Sequence, residues 1–139
     1  MNLVDALLKS DVKKADELNT GVYKSKRLAK LLGVKAKTVD VAIQEVKSRR
    51  LNDIIAYQFD HKGKFDYSKS YDAKLIMCIE GVVEPDLRNK ELQAHFGCSD
   101  AKELTEKLFG FEINELSDAI SALSGVAADV NAEEEIKNS

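Results

Sequence analysis

Apolar residues recur along this chain with two different periods. Leu3, Leu7, Leu8, Val12 and Ala15 follow three- and four-residue steps with charges between them, the stripe of an amphipathic helix, which Asn19-Thr20-Gly21 would end. From Thr38 to Ile43 the step shortens to two. Val39, Val41 and Ile43 alternate with Thr38, Asp40 and Ala42, and the β-branched residues favour a half-buried strand. Val22 to Leu28 reads as an edge strand guarded by Lys24, Lys26 and Arg27; Arg27 to Leu32 reads equally as helix.

Helical spacing returns from Val46 to Phe59, and His61-Lys62-Gly63-Lys64 is a turn. Ser70 caps a helix from Tyr71 to Gly81, the most apolar segment, which predicts a central core helix. Pro85 forces Glu84 to be extended and ends that element. Asn89 caps a short helix from Lys90 to Phe96, closed by Gly97. Ser99 or Asp100 opens another through Phe109, with Asp100 and Glu103 at capping-box spacing. Gly110 breaks the chain, and Glu112 to Ser124 forms the last helix, with Ile113, Leu116, Ile120 and Leu123 on one stripe. The expected fold class is therefore α+β and mainly helical. It has about five to six helices and a small antiparallel sheet of two or three strands in the N-terminal half. Residues 1–125 are expected to make one globular domain. Residues 126–139, small and acidic, are expected to form a flexible tail.

Composition adds a polarity. Residues 1–79 hold 16 basic and 10 acidic side chains, and residues 80–139 hold 5 and 14, so a net charge of -3 hides two oppositely charged halves. No secretory leader is expected, because the opening Met1-Asn2-Leu3-Val4-Asp5 has neither a basic nor an apolar leader region. The longest apolar stretch, Leu75 to Val83, carries Glu80 and is too short to span a bilayer. Cys78 and Cys98 are too far apart for a CxxC pair and suit a reducing compartment, so a cytoplasmic location is expected.

Catalytic equipment is not visible. His61 sits in a polar turn and His95 beside Phe96, neither in a metal-ligand arrangement, and Cys98 alone does not complete a zinc set. Phosphate-binding glycine motifs and nucleophile elbows are absent from the sequence. The expectation is a protein that is not an enzyme, with no cofactor and no metal.

One local motif points elsewhere. Across residues 28–43, Ala29, Gly33, Val34, Val39 and Ile43 fall where a helix-turn-helix requires them. From Gly21 to Arg50 there are nine Lys or Arg against two acids. A recognition helix starting near Ala36 would offer Lys37 and Thr38 to a major groove, although Asp40 would face phosphate. A strand from Thr38 to Ile43 would remove that helix.

The C-terminal half carries a denser pattern. An apolar helix leads into Gly81-Val82-Val83-Glu84-Pro85-Asp86-Leu87. Then come Glu91-Leu92, Phe96-Gly97, Leu108-Phe109, and a last helix closing at Ser124-Gly125. This order resembles the XkdN-like tail assembly chaperones of phages, with their G-[V/T]-x-x-P-D-L turn and their E-L-x-x-x-[F/Y]-G helix. The first helix and the run from Lys26 to Ile43 look like the family's opening helix and paired strands. Where that family often has a Gly-Glu pair before the last helix, this chain has Gly110-Phe111-Glu112.

The resemblance implies a non-enzymatic phage or prophage protein that binds and solubilises the tape-measure protein in the bacterial cytoplasm and is absent from the mature particle. A frameshift-extended form of the chain itself, the tail tube protein and a second copy are further partners it suggests. A DNA-binding regulator using residues 28–43 and a minor structural tail protein are the alternatives. The candidate partner-binding residues are Phe109 and Phe111 around Gly110, continued by Ile113, Leu116 and Ile120, and a basic stripe of Lys24, Lys26 and Arg27.

Overall fold

The computed structural model describes residues 2–126; the expected tail, beyond Val126, lies outside the described residues. The chain opens with α1 (Leu3–Leu8) and a 3-10 turn (Val12–Asp16), followed by β1 (Thr20–Ser25), α2 (Lys26–Leu32) and β2 (Val39–Gln44). Next come α3 (Ser48–Tyr57), a 3-10 turn (Tyr67–Lys69), α4 (Ser70–Gly81) and β3 (Val82–Glu84). It continues through α5 (Lys90–His95), α6 (Ala101–Phe109), a 3-10 turn (Gly110–Glu112) and α7 (Ile113–Leu123). This is the α+β, mainly helical architecture that the two periodicities predict.

The sheet is antiparallel in the order β1-β2-β3. β1 and β2 pair from Thr20↔Gln44 to Ser25↔Val39, and β3 joins through Ala42↔Glu84 and Ile43↔Val82 with a register shift between them. The two-residue period of β2 sends Val41 and Ile43 into the core and leaves Asp40 exposed. On the edge strand, Lys24 faces Asp40 and meets it at 2.6 Å, both exposed.

Helix α4 is the hub, packed by α3, α6 and α7. Leu75, Met77 and Cys78 of α4 join Leu104, Leu108 and Phe109 of α6 and Ile113, Leu116 and Ile120 of α7 in one buried cluster with Val41, Ile43, Val82 and Leu87. Gly81 allows the close approach of α7. A Cβ there would overlap three side-chain carbons of Ile120. Local caps fix the helix starts. Asn89 Oδ1 accepts from Leu92 N at 2.9 Å, and Asp100 Oδ1 accepts from Glu103 N at 2.9 Å, while Glu103 Oε2 reaches back to Ser99 N at 2.8 Å.

Three local expectations are corrected. The N-terminal helix stops at Leu8, because Ser10 Oγ donates to Leu7 O and Asp11 Oδ1 takes Lys13 N, starting a separate turn. Gly21 is therefore no helix terminus but a strand residue beneath Leu123. Ser70 is the first residue of α4 rather than its cap; the side-chain bond falls to Asp66, which accepts from Ser68 N and opens the preceding turn.

Candidate functional site

A buried polar junction fixes α2 against the C-terminal helices. Ser25, fully buried at the end of β1, accepts from Leu28 N at 3.1 Å and so caps α2. Its hydroxyl donates to Glu112 Oε1 at 2.7 Å, and Lys26 N donates to Glu112 Oε2 at 3.2 Å. Glu112, itself buried, thus lies at the positive end of the α2 dipole, where a carboxylate is favoured. The Tyr23 hydroxyl reaches both Glu112 at 3.2 Å and Glu115 at 3.0 Å. Burial, then the hydrogen bond to Glu115 and the two negative charges, hold its proton on well above the usual tyrosine range. Arg27 closes the junction, donating to Lys107 O at 3.2 Å and lying across Gly110, whose φ of +51° only glycine adopts easily.

Leu28, next to the junction, is buried, whereas Leu31 and Leu32, one turn further along the same face of α2, stay 50% and 62% exposed. They form one wall of an open groove of about 310 Å³, completed by Val39, Pro85, Leu92, Phe96 and Leu108 and also lined by Asp40 and Glu84. Across Leu31 and Leu108 the groove continues into a basic compartment edged by Arg27, Lys30 and Lys107. An apolar trough beside a basic compartment suits an amphipathic helix laid along it.

The residues singled out from sequence separate in space. Phe109, Ile113, Leu116 and Ile120 are buried core, so the continuous surface patch expected from Phe109 to Ile120 does not form. Phe111, the residue that separates Gly110 from Glu112, is 82% exposed on the turn between α6 and α7. The basic stripe also divides. Lys24 pairs with Asp40, Lys26 is exposed at the first position of α2, and Arg27 is half-buried in the junction.

Two surfaces escaped the sequence reading. One is the Leu31–Leu32 wall, one helical turn beyond the buried Leu28 on the same face of α2. The other is an aromatic cluster where the turn after α3 folds back. Phe59 and Phe65 pair across a bridge with ring centroids 5.6 Å apart, and Phe65 meets Tyr67 at 4.7 Å. The signal for the second was present, since Phe59 and Phe65 flank the predicted turn.

The helix-turn-helix reading fails. Gly33 closes α2, and Val39–Gln44 is a strand in the middle of the sheet, so no recognition helix follows. Among the described residues no group of three or more His, Cys, Asp or Glu could hold a metal ion, and no helix is long and apolar enough to cross a membrane. Cys78 is buried in the core, and desolvation pushes its thiol up to about 12, so it stays protonated near neutral pH.

A sequence-family model described as phage XkdN-like tail assembly chaperone protein matches residues 4–137. The crystal structure of the protein YqbN superposes with a TM-score of 0.55 at 14% identity, covering 78% of this chain and 88% of that one; at that identity the likeness speaks for the fold alone. No curated protein matches the chain.

Proposed function

This chain belongs to the phage XkdN-like tail assembly chaperone family, and from that premise we propose that it binds and solubilises the tape-measure protein through the groove between α2, α5 and α6. The observation that carries this reading is the half-exposed Leu31–Leu32 wall over Leu92, Phe96 and Leu108, a permanent apolar surface beside the core helices α4, α6 and α7, which bury theirs. A long helical client has an apolar stripe that would otherwise aggregate. Covering it with a groove of matching width keeps the client soluble, and the task needs no bond-making chemistry. Lys30, Arg27 and Lys107 in the adjoining compartment favour a client helix that carries acidic side chains on that side. Phe111, free of the core, is a second anchor beside the basic compartment.

The reading includes action in the host cytoplasm and departure before the particle is finished. It also divides the chain into a working domain, residues 1–125, and an acidic segment, 126–139, from which a frameshift-extended form would continue toward the tail tube protein.

Co-expression with the tape-measure protein tests it. The wild-type chain is expected to keep the client soluble and to co-purify with it. A Leu31→Asp/Leu32→Asp variant, altered only at exposed positions, is expected to lose at least tenfold in affinity while keeping its fold. A variant that captures the client as well as wild type would remove the groove from the account. No association of the wild-type chain at any salt concentration would remove the function itself.

A further inference from the structure

Helices α3 and α7 both pack near α4 and leave an open groove of about 180 Å³ between them. Ala73 and Met77 of α4 make its floor, Leu51 and Ile55 of α3 one wall, and Ser117 and Ser121 of α7 the other. Ile55 is 40% exposed there, on a helix that buries only Ile54. Polar contacts fix the two ends. At one, Arg50 Nε meets Glu80 Oε1 at 2.9 Å and Ser124 Oγ accepts from Val46 N at 2.9 Å, so the start of α3 lies beside the ends of α4 and α7. At the other, the Tyr57 hydroxyl donates to Asp72 Oδ2 at 2.8 Å and Lys74 Nζ donates to Asn114 Oδ1 at 2.6 Å, so the end of α3 lies beside the starts of α4 and α7.

The chain itself enters this groove. Beyond α7, Gly125 at φ +89° turns the backbone, and Val126, the last described residue, is half-buried among the lining side chains. The residues that follow set out from within the groove, and their sequence follows its chemistry. Along α3 the groove runs from Leu51 to Gln58, roughly 10 Å at helical rise. Counted from Val126 at the same rise, Val130, Glu133 and Glu134 come four, seven and eight residues on, the spacing of one helix face. That face is apolar first and acidic second. The groove changes in the same order: Leu51, Ile55 and Met77 give way to Lys74 and, over the Tyr57 ring at 5.2 Å, Lys69. Neither lysine forms an ion pair among the described residues. Asp118 also lines the groove, a turn from Asn114, where the segment counted this way carries the uncharged Val130-Asn131-Ala132.

We infer that residues 127–139 lie along the α3–α7 groove as a cover built into the chain, Val130 over Ile55 and Met77, Glu133 and Glu134 against Lys69 and Lys74. Joining apolar to apolar and acid to base in one register makes the chain's own segment the fitting occupant. The inference does not rest on the client reading, because this groove shares no residue with the Leu31–Leu32 groove. The cover keeps the Ile55 wall from recruiting other apolar surfaces while the Leu31–Leu32 groove stays open.

Amide hydrogen exchange of the full chain, read by mass spectrometry, tests the cover. Peptides from residues 127–139 are expected to exchange at least tenfold slower in the wild-type chain than in a free synthetic peptide of the same residues. Ile55→Asp is expected to abolish that protection while peptides from α4 and α7 keep their wild-type rates. Glu133→Lys/Glu134→Lys is expected to reduce it, and so is raised salt. That second variant leaves every described residue in place, so it decides the matter should Ile55→Asp disturb the core. Free-peptide rates in the wild-type chain would overturn the proposal. So would protection unchanged by Glu133→Lys/Glu134→Lys, which would seat the segment elsewhere. Protection that appears only as protein concentration rises would seat it on a second copy and overturn the proposal too.

Discussion

Helices α1 and α7 are written in the same alphabet and meet opposite fates. Both place aliphatic residues at three- and four-residue spacing with charges between them. On α7, Ile113, Leu116 and Ile120 are buried against α4, whereas every large apolar residue of α1 faces outward. The difference does not lie in the helices. It lies in what the rest of the chain presents to them. Gly81 opens a slot on α4 that Ile120 fills, and among the described residues nothing buries α1. Apolar periodicity therefore states that a face must be covered without stating by what.

Substitutions on the two helices should widen that contrast. Ile120→Ala is expected to cost about 2–5 kcal/mol, since it empties a fully buried site packed over Gly81. The matched change Leu7→Ala is expected to stay within about 0.5 kcal/mol. Urea unfolding of the monomeric protein, by circular dichroism, measures both, and equal losses would mean that α1 is packed in solution.

A smaller effect is expected at the junction that sets the direction of the groove. Gly110→Ala puts a side chain on a backbone at φ +51° and crowds Arg27, at a cost of about 1–3 kcal/mol. Its signature is a loss of client affinity greater than that of an equally destabilised Ile120 variant, because Arg27 and α2 move with it.

The smallest effect is electrostatic. Asp72 on α4 is held below the usual carboxylate range by its hydrogen bond to Lys102 of α6, and further by the Tyr57 hydroxyl. A depressed folded-state value stabilises the fold above the unfolded-state pKa, and that contribution is lost as pH falls through the folded-state value. Asp72→Asn should therefore flatten the acid limb of the stability profile slightly and leave α1 and the groove untouched. Both partners are partly exposed, so the effect is expected to be small.

What was legible in the sequence was local. β-branched alternation found β2; Asn89, Asp100 and Pro85 marked their element boundaries because each acts within four residues of itself. The central helix was visible from its apolar density. What was hidden depends on residues far apart in the chain. Glu112 reads as an ordinary surface acid, and only the fold brings it beneath Ser25 and the start of α2. That contact anchors the start of α2, where Leu28 is buried, while Leu31 and Leu32, one turn further along the same face, stay exposed. The same blindness placed Phe109, Ile113, Leu116 and Ile120 on a candidate surface beside Phe111, when a single turn at Gly110 separates core from solvent. The spacing that suggested a helix-turn-helix was real as far as Gly33. Past that residue the strand propensity of Val39, Val41 and Ile43 prevailed, supported by pairing on both sides.

Amide hydrogen exchange, followed by mass spectrometry with and without a soluble tape-measure segment, tests the central claim most directly. Client binding is predicted to slow exchange in peptides covering α2 and the start of β2 and in those covering α5 and α6, while α3 keeps its free-state rates. Protection confined to the Phe59–Tyr67 turn, or none anywhere, would contradict a client-binding groove on this fold.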